Sequence, residues 1–297
     1  MALVSVNATE TGWSSATPLA ESLIALPRNA PVVIMIHGFR FSPWVAGEDP
    51  HHHILSLTPA RSCWKAVSWP RHLRLDRPGA GLGLGFGWHA RGNLPQVARR
   101  AFGIGRSLAG LITEIRALRP DLTVHILAHS LGARVALAAL AHVGPGAIRR
   151  IILMSGAEYR SHAQCAMAGP GARGVEIVNV TTRENALFDA LFRLGVAAPS
   201  LRDWPISSGL SGHPGWTDLR VDCPQSLAVL ASAGYPTRPP ATRVCHWSTY
   251  LRPGLFPLYR DLCDPSRRDP LPALRASLPR LAPRQSGRAP APQLSPL

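Results

Sequence analysis

The chain has 297 residues, 46% of them hydrophobic, and a formal net charge of +15. That length and apolar content suit one large buried core, and no apolar run approaches the ~18 residues a membrane-spanning helix needs. The positive charge is almost all arginine, scattered along the chain, with Lys65 the only lysine; this argues for compositional bias and against a nucleic-acid partner. The first positive side chain is Arg28 and no apolar core follows the start, so a cytoplasmic protein without a cleaved export signal is expected. Cys63, Cys165, Cys223, Cys245 and Cys263 are widely spaced with no C-x-x-C pair. Reduced thiols are the expectation, and neither a zinc knuckle nor a redox motif is supported.

In chain order, Leu3 to Val6 reads as an extended start and Ala20 to Ala25 as a helical piece. Val32 to Ile36 is a continuous apolar run that ends in His37-Gly38-Phe39, as suits a strand buried on both faces. Residues 40–80 read as a loop-rich insertion, with a crossover strand near Ala66 to Trp69. Gly81 to Trp88 alternates Gly with Leu or Phe and reads as another strand. Asn93 to Leu118 carries Val97, Phe102, Ile104, Leu108, Leu111, Ile112 and Ile115 at helical spacing, available for a buried face. Pro120-Asp121 stops that helix. An apolar strand from Leu122 then runs into Ala128-His129-Ser130-Leu131-Gly132, and an Ala/Leu-rich helix follows to Val143.

Ile151 to Met154 and Val175 to Val180 are further strands, and Glu184 to Leu194 a helix. Residues 197–250 are less regular, and Leu255 to Cys263 reads as the last helix. The alternation predicts an α/β fold, a mostly parallel sheet with helices on both faces. From Asp264 onward Pro and Arg recur without amphipathic period. The domain is therefore expected to span 1–263, with 264–297 a disordered tail.

The strand–turn–helix around Ser130 is the context a nucleophilic serine needs, because a strained turn lifts the hydroxyl clear of the sheet. A serine that merely caps the following helix is the structural alternative. Ser130 is the candidate nucleophile; Gly132 permits close approach, and Ala128 stands where glycine is usual. The Phe39 and Leu131 amides are candidate oxyanion donors. The acid should follow a later strand: Glu184 is favoured, Asp189 competes one helical turn on, and Asp203 and Asp218 are weaker. The base should come last: His246 in Val-Cys-His-Trp-Ser-Thr-Tyr, with His213 as alternative. His129 adjoins Ser130 and is expected to face away; His125 is expected to pack in the core. Trp44, Trp69, Trp88 and Trp247 are candidate pocket walls or core.

Two other patterns lack their context. His51-His52-His53 has no carboxylate or cysteine partner at zinc spacing. Gly85-x-Gly87-x-x-Ala90 opens no helix. No metal or organic cofactor is expected.

His-Gly-Phe-Arg-Phe from His37, Ala-His-Ser-Leu-Gly-Ala-Arg-Val-Ala-Leu from Ala128, and Thr-Arg-Glu-Asn-Ala-Leu-Phe-Asp from Thr182 resemble the α/β-hydrolase superfamily. So does His-Trp-Ser-Thr-Tyr-Leu-Arg-Pro-Gly-Leu-Phe-Pro-Leu-Tyr from His246. The likeness is to a little-characterised bacterial branch and covers the chain to about residue 263. It implies the α/β-hydrolase fold, with Ser130 as nucleophile, Glu184 as acid and His246 as base. It also implies cleavage of an ester-like bond in a small-molecule substrate, without cofactor. A carboxylesterase acting on small or medium acyl groups is the resulting expectation. A non-catalytic protein of the same fold, binding a ligand or partner, is the alternative. The hydrogen-bond partner of His246 is what distinguishes them.

Overall fold

A computed structural model describes residues 3–9, 11–60, 63–210 and 212–280. The first half runs β1 (Leu3–Ala8), β2 (Trp13–Ser15), α1 (Leu19–Ile24), β3 (Pro31–Ile36), α2 (Trp69–His72), β4 (Leu82–Gly87), α3 (Leu94–Leu118), β5 (Thr123–His129) and α4 (Gly132–Ala139). The second half runs β6 (Arg150–Met154), α5 (Arg160–Ala168), β7 (Glu176–Thr181), α6 (Ala186–Gly195), β8 (Trp216–Arg220), α7 (Pro224–Ser232), α8 (Ser248–Leu251), α9 (Leu255–Cys263) and α10 (Leu271–Ser277).

The strands form one eight-stranded sheet in the order β2-β1-β4-β3-β5-β6-β7-β8. Every pairing is parallel except β1 with β2. β3 is buried at all six residues, so its side chains serve two cores by the twofold alternation of a strand. Val32, Ile34 and Ile36 pack with residues of α1, α3 and α4. Val33 and Met35 pack on the opposite face with α2, α9 and α10. The sheet is thus covered on both faces, consistent with the α/β-hydrolase fold.

Three expectations need correction. The crossover strand near Ala66 is absent among the described residues; Ser68 caps α2, its hydroxyl accepting from the Arg71 amide at 3.2 Å. Pro70 then sits in the first turn, where its missing N–H costs nothing. A strand the sequence hid, β8, closes the far edge: only Trp216 and Leu219 of its five residues are buried hydrophobics. Finally, folded structure continues past residue 263. Leu271 and Leu274 of α10 are buried in the second core, and Asp269 pairs with Arg150 at 2.7 Å. The expected tail beyond residue 280 lies outside the described residues.

Candidate active site

The site lies beyond the carboxyl ends of β3, β5 and β7, where open parallel sheets bind ligands. At the end of β5, Ser130 adopts φ +54°, a left-handed conformation rare for a side chain with a Cβ. The surroundings hold it there. Its amide donates to the Met154 carbonyl at 3.1 Å, and its carbonyl accepts from Ala133 at 3.0 Å and Ala157 at 2.9 Å. Two glycines make the turn possible. A Cβ on Gly132 would lie 2.7 Å from the His37 carbonyl oxygen, and one on Gly38 would lie 2.7 Å from the Ser130 Cβ. Both are closer than real side chains come, so the β3 and β5 loops meet only because these positions lack one. This is the strained strand-to-helix serine turn that the sequence pattern predicts.

The loop after β3 is clamped by His37. The Trp88 amide donates to His37 Nε2 at 3.0 Å, which leaves Nδ1–H to donate to the Gly38 carbonyl at 2.8 Å. The Trp88 indole donates to the His37 carbonyl at 3.1 Å. Burial holds the His37 pKa down at about 3, so the ring is a neutral strut. Phe39 follows the clamped turn. Among the described residues, neither the Phe39 amide nor the Leu131 amide donates a hydrogen bond. Both residues border the same cavity as Ser130.

That cavity has a volume of about 550 Å³ and is mainly apolar, with Phe39, Phe41, Phe188, Phe192, Trp247 and Tyr250 among its walls. Ser130 and His246 both line it. The Ser130 hydroxyl has no hydrogen-bond partner among the described residues.

His246 sits on the segment before α8. Phe188 stacks on its ring with centroids 4.5 Å apart. His129 packs at 4.6 Å and bonds through Nε2 to the His246 carbonyl at 3.1 Å. His129 therefore supports the segment that carries His246, a role absent from the sequence reading. Burial, with help from His129 and Lys65, keeps the His246 pKa well below its ordinary value. The ring is neutral near pH 7, the form a proton acceptor requires.

The partner of His246 departs from expectation. Nδ1 lies 2.6 Å from Asn185 Oδ1, and Asn185 Nδ2 donates to Asp189 Oδ1 at 3.0 Å. Burial pushes the Asp189 carboxyl up to about 6, against hydrogen bonds from Ser207 and Asn185. Near neutrality it is mostly ionised and can only accept. It therefore draws the Asn185 amide nitrogen toward itself and turns Oδ1 to His246. That fixes the proton on Nδ1 and leaves the Nε2 lone pair available.

Glu184 does not meet His246. Its carboxylate is buried against Arg252 and accepts from Thr182 Oγ1 at 3.1 Å and Thr242 Oγ1 at 3.0 Å. Its carbonyl accepts from the Cys245 amide at 2.9 Å. Glu184 thus ties down the 242–252 segment from behind, and the place opposite the imidazole goes to its neighbour. Asn185 carries no carboxylate, so a sequence pattern of acid after strand does not single it out. The Arg183–Asn185 turn is a single 3-10 turn, in which successive side chains diverge by about 120°.

The other candidates lie elsewhere. His213 accepts from the Gly215 amide at 3.2 Å, Asp203 from Ser161, and Asp218 from Asn179. Of the four tryptophans, only Trp247 lines the cavity; Trp69 and Trp88 are core and Trp44 is exposed. His51 bonds Asn7, His52 pairs with Asp49, and His53 packs on Phe41.

No family model and no curated protein sequence matches the chain. Among solved structures, an acetylxylan esterase is similar over 84% of this chain and 99% of that one, at 10% identity and a TM-score of 0.34. A likeness at that level carries no argument about the reaction.

Proposed function

We propose that the protein is a serine hydrolase that cleaves small or medium acyl esters through an acyl-enzyme on Ser130. His246 Nε2 takes the hydroxyl proton while Ser130 Oγ bonds to the ester carbonyl carbon. The carbonyl π electrons move to oxygen, where the Phe39 and Leu131 amides receive them. The oxyanion then collapses, the bond to the alcohol oxygen breaks, and the imidazolium returns its proton to that oxygen. Water repeats the sequence on the acyl-enzyme, releasing the acid and restoring Ser130.

In this reading Asn185 holds the imidazole in the required tautomer, and Asp189 orients Asn185. The observation that carries the proposal is Ser130 itself. A buried serine at φ +54° lines an apolar cavity together with a neutral imidazole and two residues whose amides have no partner among the described residues.

One observation favours a second reading, a ligand-binding protein without catalysis: an amide, not a carboxylate, faces His246. A panel of p-nitrophenyl esters separates the two. The hydrolase reading expects turnover of acyl chains of two to eight carbons, reduced ~10⁴-fold or more in Ser130→Ala. Equal rates for wild type and Ser130→Ala would leave only the binding reading.

A further inference from the structure

The only lysine of the chain borders the proposed catalytic cavity. Lys65 Nζ lies 3.4 Å from the centroid of the Trp247 ring, and that ring lies 5.9 Å from the His246 ring. Among the described residues Lys65 forms no ion pair. Arg40 also borders the cavity and has no carboxylate partner among the described residues. Among the described residues the single carboxylate on the wall, Asp189, is turned to Asn185 and Ser207. An ammonium over an aromatic face keeps its charge and most of its hydrogen-bonding capacity toward the open side.

Position assigns this charge to one part of the substrate. In the proposed reaction His246 must reach the oxygen of the departing alcohol, so the alcohol lies on the imidazole side of Ser130. Trp247 and Lys65 lie on that side too. We infer that Lys65 is the anion receptor of the site, and that the preferred substrates are esters whose alcohol portion carries a carboxylate or phosphate. The aromatic walls Phe188 and Trp247 suit a flat or apolar body between the ester and that anionic group. This inference rests on the hydrolase proposal and narrows its substrate class.

The test compares three butyrate esters of matched shape: 4-(butyryloxy)benzamide, 4-(butyryloxy)benzoate and 4-(butyryloxy)phenyl phosphate. A charge-assisted hydrogen bond from Lys65 corresponds to about a ten- to hundredfold preference in kcat/KM for an anionic ester over the amide. The benzoate and phosphate arms show which anion fits. Lys65→Met brings the ratio toward one, and Lys65→Arg, which keeps the charge, retains most of it. High salt reduces the wild-type preference, since the contact is half-exposed. Hydrolysis of the benzamide ester with no preference for either anionic ester overturns the inference and leaves the hydrolase proposal standing. So does a preference that survives Lys65→Met. Inertness toward all three esters overturns the hydrolase proposal, and this inference with it.

Discussion

Asn185 and Glu184 are adjacent in sequence but sit in different environments, and paired substitutions separate their roles. Asn185→Ala removes the acceptor 2.6 Å from His246 Nδ1. The lost bond matters most when the ring becomes an imidazolium, and a hydrogen bond to a charged partner contributes about 1.5–3 kcal/mol. At tenfold per 1.4 kcal/mol, kcat for p-nitrophenyl butyrate falls about 10- to 150-fold. The fold should tolerate the change, because the truncated side chain borders an existing cavity. Glu184→Gln does the reverse. It leaves the Arg252 guanidinium buried without its counter-charge, both partners being about 5% exposed. Breaking such a pair costs about 3–5 kcal/mol of stability. The imidazole keeps its partner, so kcat of the folded fraction changes little beside that of Asn185→Ala. The assay is kcat together with the urea midpoint for each variant. A Glu184→Gln variant that loses the larger share of kcat while keeping its midpoint would refute this division of roles, since Glu184 would then be acting on His246 directly.

Two further predictions concern pH. With the His246 pKa held well below its usual value and that of Asp189 near 6, the acid limb of kcat/KM should fall near pH 6 and belong to Asp189. A protonated Asp189 can donate as well as accept, so it no longer fixes the Asn185 orientation. Asp189→Asn should shift that limb to lower pH, and an unmoved limb would contradict the relay. Stability should fall in mild acid. Buried His37 and His125 have pKa values near 3 and His129 near 4, with His246 also lowered. Below pH 6.5 the unfolded chain binds protons that the native one refuses, so stability is lost as pH falls, by about 2 kcal/mol at pH 5 for each of His37, His125 and His129, with His246 adding in the same direction. Asp189, whose folded pKa is raised, gains stability over the same range and offsets a small part. Urea midpoints at pH 7.5 and pH 5.0 check this; equal midpoints would contradict it.

The central strands were legible because continuous apolar runs rich in β-branched residues, such as Val32 to Ile36, admit few other fates in a chain of this size. The serine turn was legible because small residues recur where backbones must touch, at Gly38 and Gly132. What stayed hidden was set by tertiary context. β8 is an edge strand with one neighbour, and α10 is a two-residue apolar contact inside a Pro/Arg-rich stretch. The Glu184–Asn185 choice depends on Arg252, more than 60 residues away, and no local pattern encodes that pairing. His129 was expected to face away from chemistry. It borders the same cavity as Ser130 and props the His246 carbonyl, a contact that exists only once β5 and the α8 segment meet.

The central claim is that the Ser130 hydroxyl is made nucleophilic by its surroundings. Reaction of the full chain with a fluorophosphonate, followed by intact mass and peptide mapping, tests it most directly. One phosphonyl group on Ser130, with labelling slowed at least 100-fold in His246→Ala, is the result expected from base-assisted attack. A folded wild-type protein that stays unlabelled, or labels as fast without His246, would contradict it.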